Sequence, residues 1–94
     1  MIVHIPNEGK RSFISGFLLK KIGMRKGFPD FFIPCINQKY GGLFIELKRK
    51  YRSKETTDQL WWRQYLTKKG YKSEVAFGCD QAIQIIENYY KNID

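Results

Sequence analysis

Gly27-Phe28-Pro29-Asp30-Phe31-Phe32-Ile33-Pro34-Cys35-Ile36, followed after a short polar turn by Leu43-Phe44-Ile45-Glu46-Leu47-Lys48, is the stretch that decides the fold. Aromatic and β-branched residues dominate both halves, which predicts two strands, one from about Pro29 to Ile36 and one from Leu43 to Lys48. The first is apolar on both faces, as in a strand covered on both sides. Pro34 has no N–H to give a ladder and predicts a bulge or an unpaired side. Asn37 to Gly42 is turn chemistry, so the two strands form an antiparallel hairpin with a moderately long loop. Alternation puts Leu43, Ile45 and Leu47 on one face of the second strand and Phe44, Glu46 and Lys48 on the other.

Upstream, Ile2-Val3-His4-Ile5 predicts a short strand ended by Pro6-Asn7. A helix is expected from about Glu8 to Ile22, with Phe13, Ile14, Phe17, Leu18 and Ile22 at helical spacing and Asn7 as its cap. Lys20 and Lys21 suit its last turn, and Gly23 its close. Downstream, a basic loop from Arg49 to Lys54 leads to a helix from about Thr56 to Lys69, closed by Gly70, whose expected buried stripe is Leu60, Trp61, Tyr65 and Leu66. Lys72 to Phe77 predicts a strand. Asp80 is the expected cap of a last helix that buries Ala82, Ile83, Ile86, Tyr90 and Ile93. Helix, hairpin, helix, strand, helix is the order of an α/β mixed sheet flanked by helices, its final strand reached through a helical crossover.

No repeat or linker divides the 94 residues, so residues 1–94 are expected to form a single domain. Its core is thin, and a second copy would enlarge it. With 43% hydrophobic and 16% aromatic residues, the chain is not disordered. Its apolar runs fall short of the roughly 18 residues that span a membrane, and no signal-peptide core follows Met1. Cys35 and Cys79 make no secreted disulfide framework, which points to a reducing cytoplasm. Lys and Arg outnumber Asp and Glu 17 to 9, a net charge of +8. That excess lies wholly in residues 1–53, +5 before Phe28 and +3 from there to Ser53, whereas residues 54–94 are balanced. Such a distribution attracts polyanions, nucleic acid first.

Glu46 and Lys48 share a face of a strand whose other face is apolar. Alone, an E-x-K pair reads as a half-exposed ion pair worth under ~1 kcal/mol. The hairpin changes this, because it sets Asp30 beside them. Two carboxylates brought together repel unless a cation lies between them, and hard oxygen ligands suit Mg²⁺ or Mn²⁺. Phosphodiester hydrolysis is the chemistry expected of that set, with Lys48 orienting water or stabilising the pentavalent phosphorus. Glu8 either reaches the same ion or simply favours the first turn of its helix.

Pro29-Asp30, a gap of 15 residues, then Glu46-Leu47-Lys48 resembles the PD-(D/E)XK nuclease superfamily. Within it, N-E-G-K-R-S at residues 7–12, G-F-P-D at 27–30, G-L-F-I-E-L-K at 42–48 and the later Q-L-W-W…G-Y resemble the VRR-NUC (virus-type replication-repair nuclease) family, in its order and spacing over about residues 4–90. The resemblance implies a restriction-endonuclease-like fold and a Mg²⁺- or Mn²⁺-dependent endonuclease acting on DNA flaps or Holliday junctions. It implies that Asp30 and Glu46 hold metal with the Leu47 carbonyl, that Lys48 is the motif lysine, that Glu8 is the helix-borne acid and that Gln59 is the glutamine after the motif. Relatives with a tyrosine four residues past that glutamine differ here, where Arg63 stands, and Gln59 also reads as a solvated helix residue. The resemblance also implies a homodimer, as is typical of minimal members, which are often phage-encoded.

Lys10, Arg11, Arg25, Lys26, Arg49, Lys50 and Arg52 flank the acidic segments and are expected to cradle phosphates. Trp61 suits the core, and Trp62 reads either as exposed, for a dimer contact or for stacking on a base, or, as is commoner for tryptophan, as partly buried. His4 is expected to be structural, and both cysteines to be buried thiols. No phosphate-binding loop is present, so any helicase would be a separate chain. The competing readings are a catalytically silent DNA-binding module of the same fold and a dimeric adaptor.

Overall fold

Alternation along Leu43–Lys48 organises the molecule. The computed structural model describes residues 1–5, 26–49 and 53–93. The expected helix from Glu8 to Ile22 lies outside them. The described elements run β1 (Val3–His4), β2 (Phe31–Ile33), β3 (Leu43–Lys48), α1 (Thr57–Lys68), β4 (Lys72–Phe77) and α2 (Cys79–Tyr90). They form one sheet in the order β1-β2-β3-β4. β1–β2 and β2–β3 are antiparallel, and β3–β4 is parallel across the α1 crossover. This is the compact mixed α/β architecture expected of a restriction-endonuclease-like fold.

The core lies on the side of β3 that carries Leu43 and Ile45. Both pack with Ile33, Ala76 and Tyr89, all five buried, while Leu47, Ala82, Ile85 and Ile86 close around them. The opposite side is an aromatic layer. Phe44 stacks on Phe32 at 4.4 Å and meets Phe28 and Tyr71 edge-on. Among the described residues no helix is long and apolar enough to cross a membrane.

Several expectations are corrected. The first hairpin strand does not run to Ile36: β2 ends at Ile33, before Pro34, and Ile36 is exposed. Proline cannot carry the ladder onward, and the chain turns at once, with the Cys35 N–H donating to the Ile33 carbonyl at 2.9 Å. On α1 the exposed Leu60, Trp61 and Tyr65 are not a buried stripe; Leu66 alone of the expected four is buried. Trp61 is exposed rather than in the core, and the partly buried Trp62 is the tryptophan that faces inward, edge-on to Phe28 at 4.9 Å. On α2 the buried residue is Tyr89, whereas Ile83 and Tyr90 are exposed. Gly78, at φ +93°, precedes α2, and Asp80 sits within the first turn rather than capping it. Cys79, at the start of that helix, is exposed, while Cys35 is partly covered.

Tyr89 is held at both ends. Its hydroxyl donates to the Cys35 carbonyl at 2.5 Å, and its own carbonyl accepts from Asn37 Nδ2 at 3.3 Å. Asn37 Oδ1 in turn accepts from the N–H groups of Lys39 and Tyr40, closing the hairpin loop over the end of α2.

Candidate active site

The hairpin register builds the site. β2 and β3 pair Phe31 with Ile45 and Phe32 with Phe44. Asp30 precedes this ladder in a bend, and from there its carboxyl reaches that of Glu46 in a hydrogen bond. The Asp30 main chain is pinned from both sides, its N–H donating to the Ile45 carbonyl at 3.1 Å and its carbonyl accepting from Ile5 N–H at 2.7 Å. Where β2 has ended, the Asp30 carboxyl takes over its ladder role, and Oδ2 accepts the Leu47 N–H at 3.0 Å. A strand residue sends its N–H and C=O to the same side, so the Leu47 carbonyl also leaves toward Asp30.

Glu46 is 7% exposed. Burial, a hydrogen bond to the Asp30 carboxyl and the charge of Asp30 push its pKa up to about 8, against the pull of the Lys48 ammonium. Glu55 adds a smaller upward push. Glu46 therefore keeps its proton at neutral pH, against the Asp30 carboxyl. The oxygens of Asp30 and Glu46 and the Leu47 carbonyl are the donors available to a hard cation. Among the described residues no three acidic, histidine or cysteine side chains are grouped so as to hold a metal ion by themselves.

Gln59 ties the strand to the helix. Its Nε2 donates to Glu46 Oε1 at 2.6 Å, and its Oε1 accepts from Lys48 Nζ at 2.7 Å. Glu46 and Lys48 thus share one amide as a common partner, which rules out the solvated reading of Gln59. Thr56 caps α1, with Oγ1 accepting the Gln59 N–H at 3.1 Å, and its own N–H donates to Gln59 Oε1 at 2.9 Å. The Thr56-Thr57-Asp58-Gln59 capping-box spelling is the sequence signal for this arrangement. Arg63, four residues past Gln59, turns elsewhere. It holds Glu55 through two bonds at 2.9 and 3.0 Å, and that carboxylate raises the Arg63 pKa.

The loop before Asp30 docks on the same helical turn. Trp62 Nε1 donates to the Lys26 carbonyl at 3.1 Å. Gly27, at φ +92°, approaches so closely that a Cβ there would lie 2.8 Å from Asp58 Cβ and 2.9 Å from the Gln59 nitrogen. Only glycine satisfies both the conformation and the space.

The structure brings Asp30, Glu46, Leu47, Lys48 and Gln59 together. Lys26 and Arg49 stand exposed on the segments that carry Asp30 and Lys48. Glu8, Lys10, Arg11, Arg25, Lys50 and Arg52 lie outside the described residues. His4 is exposed at the sheet edge, its ring 5.2 Å from that of Phe31.

No protein-family model and no curated protein matches the sequence. Among solved structures the chain is similar to a VRR_NUC domain protein, at 33% identity and a TM-score of 0.83, over 99% of this chain and 70% of the other.

Proposed function

The chain belongs to the VRR-NUC family of nuclease-type domains, and on that premise we propose that it is a metal-dependent DNA endonuclease selective for branched substrates such as flaps and Holliday junctions. The observation that carries the proposal is the meeting of two carboxyls across the hairpin, joined through Gln59 to Lys48. A fold needs no buried carboxyl whose pKa stands near 8. A cation site accounts for one, because a dication would take the place of the Glu46 proton.

The residues fit such an ion. Two carboxylates and one main-chain carbonyl are hard oxygen donors, and so small a protein set suits Mg²⁺ or Mn²⁺, which keep water and phosphate oxygens in their remaining positions. Bound there, Mg²⁺ or Mn²⁺ supplies an acidified water and neutralises charge developing on the phosphate. Lys48 orients the attacking water or stabilises the equatorial phosphate oxygens: its ammonium has three protons, of which the Gln59 bond takes one. Gln59 holds Lys48 and Glu46 in register. Lys26 and Arg49, with Lys10, Arg11, Arg25, Lys50 and Arg52, supply salt-sensitive phosphate contacts without base preference. A homodimer would present two such sites to opposed strands of a junction, with any helicase a separate chain.

The test incubates labelled single-strand, flap and four-way junction DNA with the protein, with and without Mg²⁺ or Mn²⁺. Cutting should require the metal and favour the branched substrates. Glu46→Ala and Lys48→Ala should each lower the rate on the order of 10³-fold and leave binding largely intact. A wild-type protein that binds DNA and cuts with neither metal is the silent binding module instead.

A further inference from the structure

We infer that Thr56 is a positioning residue of the site, whose main-chain N–H and hydroxyl fix the Gln59 amide that aligns Lys48 with Glu46. The inference rests on the nuclease reading for its consequence in rate, but not for its geometry.

A glutamine amide has one accepting end and one donating end of nearly the same shape, so its hydrogen-bond partners decide which way it faces. Lys48 can only donate, yet its ammonium rides on a flexible stem and follows an acceptor rather than placing one. The rigid partner is the Thr56 N–H, 2.9 Å from Gln59 Oε1. Like Lys48 it can only donate, so it holds the oxygen end toward the lysine and turns Nε2 onto Glu46 Oε1. The Thr56 hydroxyl closes the ring from the other side by accepting the Gln59 main-chain N–H. A helix cap ordinarily satisfies helix donors alone; here the same box has a third and a fourth partner on β3.

The turn so fixed is also the one on which the Asp30 loop rests. Gly27 packs against Asp58 and the Gln59 nitrogen, and Lys26 is tied to Trp62. The first turn of α1 is therefore the common reference for Asp30 on one segment and for Glu46 and Lys48 on another. Loosening the cap would loosen the amide, and both partners on β3 with it.

The test compares Thr56→Val, which removes the hydroxyl at nearly constant shape, with Thr56→Ser, which restores it. Gly70→Ala is the control: Gly70 lies at φ +96° beyond the far end of α1 with open space around it, so alanine there strains the helix end without touching the site. Thr56→Val should lower kcat about tenfold with KM little changed, as misplacement of reacting groups does. Thr56→Ser should recover the rate, and Gly70→Ala should lose thermal stability while keeping kcat. In the metal-free protein the Gln59 side-chain NH₂ resonances should be shifted from free-amide values in wild type and Thr56→Ser, and return toward them in Thr56→Val. The inference is overturned if Thr56→Val keeps the wild-type amide resonances, or if Gly70→Ala loses as much kcat as Thr56→Val. A wild type that cuts no DNA sinks the nuclease reading alone, because the amide resonances still decide whether Thr56 holds Gln59.

Discussion

The two faces of β3 are built on opposite principles. On one, Leu43 and Ile45 meet Ile33, Ala76 and Tyr89 through contacts that any well-shaped apolar group can supply. On the other, the strand passes from Phe44 in a cluster of rings to Glu46 and Lys48, whose partners are single atoms at hydrogen-bond distance. The first face stabilises the fold by removing apolar area from water. The second costs stability, because it buries a carboxyl against a second carboxyl. Fold and chemistry therefore occupy one strand without competing for the same side chains, and substitutions on the two faces should have effects of opposite sign.

The largest effect is expected on the core face. Tyr89→Ala leaves a cavity where the ring lay and orphans the Cys35 carbonyl, which should cost about 3–5 kcal/mol. Thermal unfolding should show this as a fall in Tm of more than about 12 °C. An unchanged Tm would mean that this face is not what holds the sheet.

Next comes the site face, with the sign reversed. The pKa of Glu46 in the folded protein, about 8, lies above its ordinary value of 4.5. Its contribution is thus complete below about pH 4.5 and lost as pH rises through about 8. Metal-free wild type should lose stability steadily across that window, and Glu46→Gln should flatten the profile and be the more stable protein at pH 8.5. Denaturant midpoints measured at a series of pH values decide it; parallel profiles for the two proteins would remove the buried acid from the account. Affinity for Mg²⁺ or Mn²⁺, read by titration calorimetry, should rise over the same window, because binding displaces the proton.

The smallest change sharpens the comparison at the seam between helix and loop. Trp62→Phe keeps a ring against Phe28 and removes the bond to the Lys26 carbonyl, a loss of about 1 kcal/mol in urea unfolding. A neutral result would assign the docking of the Asp30 loop to Gly27 and ring packing alone.

Much of this was legible in the chain. Alternation along Leu43–Lys48 is a local property, and it separated the core residues from Glu46 and Lys48. The hairpin loop set the register that brings Asp30 across to Glu46, and the strand expected over Lys72 to Phe77 is β4 residue for residue. Helix rotation was harder. Ala82, Ile85, Ile86 and Tyr89 form a stripe at helical spacing, but so do Ala82, Ile83, Ile86 and Tyr90, and apolarity does not choose between them. The bonds from Tyr89 to Cys35 and Asn37 do. On α1 the position of Gln59 toward β3 fixes the rotation, and Trp62 and Leu66, three and seven residues on, follow it inward.

What the amino-acid order determined by itself was everything that depends on neighbours along the chain: element type, strand parity, turn position, and an acid pair separated by one hairpin. The tertiary structure decided which way each helix turns, how tightly Glu46 keeps its proton, and that one amide from α1 serves both ends of the E-x-K motif. Those properties arise from groups many residues apart meeting at distances of a few ångströms, and no period in the sequence encodes such a distance.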